Sequence, residues 1–321
     1  MRHVTRRLKP ETASFSDIAA YWLDSRRRFL QPTTVQEYKS IINCYFEAPL
    51  GQRAMADIGF FDLDQLFSKL QVSNKTFNNV LSALRCIYRY AINAGAVTMN
   101  LAEKIEFAPK DEPTPDPLTI EEISTVLQDM QQHYPEPVVI YFQLAFRIGF
   151  RPSEGINLRW SNVDWDSQLL EISSAKVRRI EKSTKTNKVR YVELSDDSIE
   201  LLKRLRQHSG HGEHLFLYPE TGRPYPDTSY LVQKYWRPSL ARCAIRDRDA
   251  RQTRHTCATM LLMGGARDRW AAEQLGHSVE MFQRVYSKWL PKNDGRRELA
   301  KASAMFARIQ DSGIRIQTDS R

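Results

Sequence analysis

Apolar residues recur every three or four positions through the first hundred residues, the period that gathers side chains on one face of an α-helix. Phe15, Ile18, Ala19 and Trp22 form one stripe. Val35, Tyr38, Ile41, Ile42 and Tyr45 form a second, with Thr33-Thr34 after Pro32 as its helix start. A third helix is expected over 61–70. A fourth carries Phe77, Val80, Leu81, Leu84, Ile87, Tyr88 and Ala91 on one side and ends at Gly95. Its opposite side presents Lys75, Asn78, Asn79, Ser82, Arg85 and Arg89. That face reads equally as a solvated surface and as donors laid against a DNA backbone.

The pattern changes after residue 117. Thr119-x-x-Glu122 matches a capping box that opens a helix. A second helix is expected over 136–148, stopped by Gly149, and a short one from Pro152. Strands fit near 161–165, 169–173 and 189–194. The last has strand residues but no clean apolar alternation, so it reads as an edge-like hairpin arm. Helical patterns follow at about 196–207, 228–242, 252–263, 268–275, 279–288 and 294–309. Ala300, Ala304, Met305 and Ile309 stripe the last of these. Between the halves, PKDEPTPDP at 109–117 holds four prolines, which remove backbone donors and disfavour helix before them. The expected organisation is a short basic segment 1–13, a helical domain 14–108, a linker 109–117 and a mixed α/β domain 118–321. The fold class is mainly α with a small antiparallel β-sheet.

Composition narrows the class. Of 321 residues, 47 are Lys or Arg and 38 Asp or Glu, a net charge of +9, with 41% hydrophobic and 26% charged residues. This is a globular mixture with a surplus suited to a polyanion. The surplus is shared, +5 up to Lys110 and +4 beyond it, as expected if both domains touch the same partner. No run approaches the roughly 18 apolar residues of a membrane span. Met1–Pro10 has no apolar core of a secretory signal, so no membrane role is expected. Cys44, Cys86, Cys243 and Cys257 are far apart, which argues against zinc and disulfides. With no phosphate-binding glycine loop and no paired-metal acidic cluster, no cofactor or metal is expected.

Five patches carry chemistry together: Gly149-Phe150-Arg151-Pro152-Ser153-Glu154, the basic hairpin Lys182 to Arg190, Arg251-Gln252-Thr253-Arg254-His255-Thr256, Leu275-Gly276-His277 and Val285-Tyr286. This set resembles the tyrosine recombinase, or phage integrase, family, with Arg151, Lys185, Arg254, His277 and Tyr286 in the family order. Arg254-His255-Thr256-Cys257-Ala258 is similar to its RHT-x-A box, Leu275-Gly276-His277-Ser278 to its LGH(S) box, and Tyr286 follows His277 at the family spacing of nine. The resemblance runs from about residue 14 to 310. It implies a helical core-binding domain before a catalytic domain. It also implies a 3′-phosphotyrosyl intermediate that keeps the phosphodiester bond energy, so that resealing needs neither ATP nor metal.

The residue types suit that chemistry. Tyr286 would be the nucleophile. Arg151 and Arg254 would bind non-bridging oxygens, since a guanidinium fork pairs with two at once and stays charged. Lys185 would protonate the leaving 5′ oxygen, although Lys182 and Lys188 lie on the same hairpin. His277 would donate to the phosphate or assist proton transfer, and His255 would support. The family commonly has His three residues before the second Arg, where this chain has Arg251. Arg cannot act as a base, so Arg251 is either a further phosphate donor or a sign of an impaired centre. Lys75, Asn78, Arg85, Arg89, Lys182, Lys188 and Arg190 are the candidate DNA contacts. The resemblance further implies double-stranded DNA attachment sites, a homotetramer on DNA, accessory bending or directionality factors, and a DNA-associated life in a bacterial cytoplasm. The expected function is integration and excision of phage or mobile-element DNA. A type IB topoisomerase and a DNA-binding regulator with a degenerate site are the alternatives.

Overall fold

Ser14 begins the first helix, Phe15–Arg26, by a reciprocal bond: its hydroxyl accepts from the Asp17 amide while the Asp17 carboxylate accepts from the Ser14 amide. The computed structural model describes residues 9–110, 115–177, 180–183, 189–209, 212–289, 299–300 and 303. The chain divides into two compact units, Met1–Pro113 and Thr114–Arg321.

In the first unit, the helix Asn74–Asn93 starts at the Ser73 cap and is followed by Gly95 at φ 77°, a left-handed turn that ends it. Its stripe Val80, Leu81, Leu84, Ile87 and Tyr88 is fully buried in one core with Phe15, Ile18 and Trp22. The helix expected over 61–70 is Phe60–Ser68. The second expected stripe is interrupted. Pro32–Ile41 widens into a π-turn, Ile42–Phe46, before Glu47–Leu50. Ile41 and Ile42 are buried, but Tyr45 is only partly so, because the extra residue in the wide turn rotates it off the stripe. The expected helix over 228–242 is split in the same way, into Ser229–Leu231, a π-turn Val232–Trp236, and Arg237–Arg242. Each π-turn lies just ahead of a proline, Pro49 or Pro238, which has no N–H for the preceding carbonyls.

Two of the candidate DNA contacts on Asn74–Asn93 turn inward instead. The Asn78 amide donates to the Ala108 carbonyl (2.9 Å) and accepts from the Ala108 amide (2.8 Å). Arg85 donates to the carbonyls of Ala102 (3.2 Å) and Ile105 (2.6 Å), with its guanidinium 4.2 Å over the Phe107 ring. Both clamp the 101–108 segment, a 3-10 turn at Leu101–Lys104 followed by irregular chain whose backbone groups need such partners. This corrects the expectation that they face DNA.

The second unit is built on Glu136–Ile148, which is buried nearly all round and so lies at the centre of its core. Ile120–His133 opens at the Thr119/Glu122 capping box. Ahead of it, Asp116 holds Arg246 and Arg248, and its amide donates to Gln252. The strands are β1 (Val163–Asp164), β2 (Leu169–Ile172), β3 (Ser174–Val177), β4 (Ile180–Ser183), β5 (Arg190–Glu193), β6 (Leu217–Tyr218) and β7 (Arg223–Pro224). β1, β2 and β5 form an antiparallel sheet in that order, with Leu170 opposite Val192 and Ile172 opposite Arg190. β3–β4 and β6–β7 are separate two-stranded hairpins not expected from the sequence. Three further helices, Gln252–Met263, Asp268–Leu275 and Val279–Tyr286, share a small core of Cys257, Leu262, Ala271, Leu275, Phe282 and Tyr286. Of the helix expected over 294–309, only 299–300 and 303 are described, all helical; Ala304, Met305 and Ile309 lie outside the described residues. So do Lys185 and Lys188, and of Lys182 only the backbone, in β4, is described.

Candidate functional site

Arg254 is held by the ends of two helices. Glu136–Ile148 stops at Gly149 (φ 67°), whose amide returns to the Ala145 carbonyl. Asp268–Leu275 stops at Gly276 (φ 64°) in a Schellman turn, with the His277 amide on the Ala272 carbonyl and the Gly276 amide on that of Glu273. These caps leave the Gly149 and Leu275 carbonyls without helical partners, at the negative ends of two helix dipoles. Arg254 fills both: Nη1 donates to the Gly149 carbonyl (2.8 Å) and Nη2 to that of Leu275. Only 4% exposed, Arg254 is lowered to about 9 by burial and by the charges of Arg151 and Arg190, and so stays protonated at neutral pH.

Gly149 has a double requirement, a left-handed φ and space. A Cβ there would lie 2.5 Å from Leu275 Cδ2 and 3.0 Å from Cys257 Sγ. Gly149→Ala is therefore expected to cost roughly 2 kcal/mol or more, read as a drop in melting temperature.

The Arg254 Nη2 also donates to His277 Nε2 (2.7 Å). An arginine offers only donors, so Nε2 must accept and the imidazole proton sits on Nδ1. That Nδ1 is buried with no hydrogen-bond partner among the described residues. A buried donor left unpaired costs about 1–3 kcal/mol, so it marks a place where a ligand acceptor would be gained. Tyr286 ends Val279–Tyr286 with its ring stacked on His277, centroids 6.1 Å apart at 14°, and its hydroxyl 2.7 Å from His255 Nδ1. Tyr286 is 0% exposed, covered by Phe282, Trp289 and both histidines. Burial pushes its phenol up to about 12, against the opposing pull of Arg254 and Arg151.

Glu154 binds the cationic side of the site. It is 1% exposed and takes Arg151 Nη1 (2.7 Å), the Arg151 amide (2.8 Å) and Arg190 Nη2 (2.7 Å). Burial would raise its carboxyl, but the Arg190 hydrogen bonds and the charges of Arg190, Arg254 and Arg151 bring it down to about 2. Arg190 was a candidate DNA contact; its burial against Glu154 makes it a structural partner of the site instead. Two guanidiniums thus share one carboxylate, with the charge of Arg254 close by, an excess of positive charge in a largely buried place.

Residues 117–291 match the phage integrase family. The chain belongs to that family. Among relatives, it is 25% identical to the prophage integrase IntR of Escherichia coli (strain K12), over 67% of this chain and 58% of that protein. It is 24% identical to a XerC-like tyrosine recombinase of Caldanaerobacter subterraneus, over 88% of this chain and 81% of that one. The chain thus spans about three fifths of the length of IntR. Its fold matches the Tn1549 transposon integrase in complex with a circular intermediate DNA, at TM-score 0.70 and 18% identity, covering 90% of this chain and 99% of that one. It also matches a lambda integrase dimer bound to a COC′ core site, at TM-score 0.72 and 17% identity, covering 88% and 81%.

The fold brings together four of the motif residues of this integrase-family chain, Arg151, Arg254, His277 and Tyr286. Arg251 stands apart: its side chain is 68% exposed and its hydrogen bonds among the described residues go to Asp249 (3.0 and 3.2 Å). The sequence reading gave Glu154 no role beyond its place in the Arg151 patch and took Arg190 for a DNA contact. The signals were present as a carboxylate three residues after Arg151 and an arginine in step with Val192 on β5.

Burial and the Arg254 charge lower both histidines, His255 to about 4 and His277 to about 3, from an ordinary 6.5. Bases with depressed folded values stabilise the fold above their unfolded value and lose that contribution as pH falls. The second unit is expected to hold its melting temperature above about pH 6.5 and lose it progressively toward pH 4 and below. A melting series across that range checks it.

Proposed function

We propose that this protein is a site-specific DNA recombinase that cuts and rejoins duplex DNA through a 3′-phosphotyrosyl intermediate. Its biological role is integration and excision of mobile DNA. The observation that carries this reading is the convergence of a buried tyrosine, a buried arginine and a neutral histidine with a spare donor beside an unbalanced set of guanidiniums. An electron-rich, anionic group is what such a site lacks, and a phosphodiester supplies it.

In the proposed step, Arg151 and Arg254 bind the non-bridging oxygens of the scissile phosphate, where charge builds up as phosphorus becomes five-coordinate. His277 Nδ1–H donates to the same phosphate. The Tyr286 oxygen attacks phosphorus, and the 5′ oxygen leaves with a proton from the basic hairpin, for which Lys185 is the candidate. A second strand's 5′ hydroxyl then reverses the step. The relatives named as recombinases and integrases support the reading. One matched structure, a lambda integrase tetramer bound to a Holliday junction (TM-score 0.70, 18% identity), supports assembly as a homotetramer on paired DNA sites. Lys75 and Arg89 on the first unit remain candidate backbone contacts.

The test uses nicked duplexes tiled across the DNA that flanks this protein's own coding sequence. A nick close to the cut site lets the short 5′ fragment diffuse away and traps the intermediate. A denaturant-stable protein–DNA adduct on one duplex, together with strand exchange between two copies of it, is the expected result. Adduct with supercoil relaxation but no exchange would favour a topoisomerase, and no adduct on any duplex would sink the enzyme reading.

A further inference from the structure

Tyr286 holds a proton that must go somewhere. The phenol is buried and un-ionised, and a neutral phenol attacks phosphorus poorly. The residue three positions before Arg254 cannot take the proton, since it is Arg251, a group with no acceptor, turned outward onto Asp249. His277 cannot take it at Nε2, which is occupied by Arg254. His255 is the group in contact with the reacting atom: its Nδ1 lies 2.7 Å from the Tyr286 hydroxyl, within the reach a general base needs.

We propose that His255 is a catalytic residue, the base that accepts the Tyr286 proton during strand cleavage and returns it during rejoining. The proposal rests on the recombinase reading above.

The local backbone supports it. Arg254 and His255 are adjacent on Gln252–Met263, so the helix that fixes the phosphate-binding guanidinium also fixes the base. The groups facing His255 are Tyr286, Arg254, Arg251, Asp249 and His277. Burial and the arginine charges hold the imidazole neutral in the DNA-free protein, which keeps Nδ1 free to accept. A scissile phosphate beside Arg254 brings a negative charge that offsets those arginines and favours the imidazolium.

The step balances as follows. The Tyr286 O–H bond breaks and its proton goes to His255 Nδ1. The phenolic oxygen forms the bond to phosphorus. The bond from phosphorus to the 5′ oxygen breaks with its electron pair, and that oxygen takes a proton from the hairpin acid. Rejoining runs each transfer in reverse: the incoming 5′ hydroxyl gives its proton to the hairpin amine, and imidazolium re-protonates Tyr286.

The experiment uses the full chain and the nicked duplex on which wild type forms adduct. Glutamine can accept a hydrogen bond from the phenol but cannot take its proton. His255→Gln is expected to bind that duplex normally and to form adduct roughly 100-fold more slowly or worse. Wild-type adduct rates should rise with pH through one titration that His255→Gln lacks, and free imidazole should restore part of the rate to His255→Ala. A His255→Gln rate equal to wild type, or an unchanged pH profile, would overturn the base role and leave only positioning. A DNA-free arm stands by itself. The 15N signal of His255 Nδ1 should carry the shift of a hydrogen-bonded acceptor and lose it in Tyr286→Phe; no change would overturn the contact. Adduct surviving in Tyr286→Phe would instead break the nucleophile assignment, and so the recombinase reading, without regard to His255.

Discussion

Tyr286→Phe is expected to form no covalent adduct at all on a nicked duplex that traps wild type, while the protein stays folded and still binds DNA. The argument separates two jobs of one side chain. The ring is part of the small core with Phe282, Leu275 and Leu262, and Phe keeps that apolar volume. Among the described residues the hydroxyl makes one hydrogen bond, to His255 Nδ1. Removing it leaves that nitrogen unpaired, at about 1 kcal/mol, a small part of a typical domain stability of roughly 5–15 kcal/mol. The chemical loss is total, since Phe has no atom that can bond to phosphorus. Adduct formation and a melting curve on the same preparation check both halves. An inactive variant that has also unfolded would show the hydroxyl to be structural, and an active one would place the nucleophile elsewhere.

Glu154→Gln is expected to be the most destabilising single change at the site, by roughly 3–5 kcal/mol, the usual cost of removing one partner of a buried ion pair. The carboxylate is the counter-charge for Arg190 and is shared with Arg151, so its loss leaves guanidiniums facing each other in a place with little water. Glutamine keeps the shape but contributes one acceptor oxygen and a donor that points at other donors. Melting temperature should fall by several degrees or more. The pH dependence has a definite sign. The folded carboxyl is held below its ordinary 4.5 by the arginines, so its contribution is present above that value and is lost as pH falls toward about 2. The gap between wild type and Glu154→Gln should therefore narrow across that window. Replacing Arg190 by Met in the Glu154→Gln background should recover part of the loss, because the stranded charge is then gone. No recovery would mean that Arg190 is not the main partner.

The comparison of pattern with structure turns on where each residue's partner lies along the chain. Helices were legible wherever the partner is the neighbouring turn. Phe15 to Trp22, the stripe from Val80 to Ala91, the Thr119 capping box and the stops at Gly149 and Gly276 depend on contacts within about four residues, and all are seen. The order of Arg151, Arg254, His277 and Tyr286 was also legible, because motif spacing survives without knowledge of the fold. Proline disruption was legible only in part: Pro49 and Pro238 are visible, but the π-turns they accompany change the phase of the stripe beyond them.

What tertiary structure decided is the partner of each polar side chain. Arg190 breaks the apolar alternation of its strand, which read as an edge-like hairpin arm; β5 is an edge strand of its sheet, yet Arg190 points inward beside Val192 because Glu154, 36 residues earlier, meets it there. Asn78 and Arg85 had the composition of a DNA-facing surface, yet their donors are taken by the chain 17 to 30 residues on. Tyr286 sat among polar neighbours in sequence but is buried, since a helix end packs against two other helices. His255 touches it across 31 residues. By itself the sequence determined which residues could do this chemistry and where helices begin and end, since those depend on local periodicity and capping. Only the folded chain decided which charges are paired, which donor is left without a partner and which base reaches the nucleophile, because hydrogen bonds and ion pairs act over a few ångströms whatever the distance along the chain.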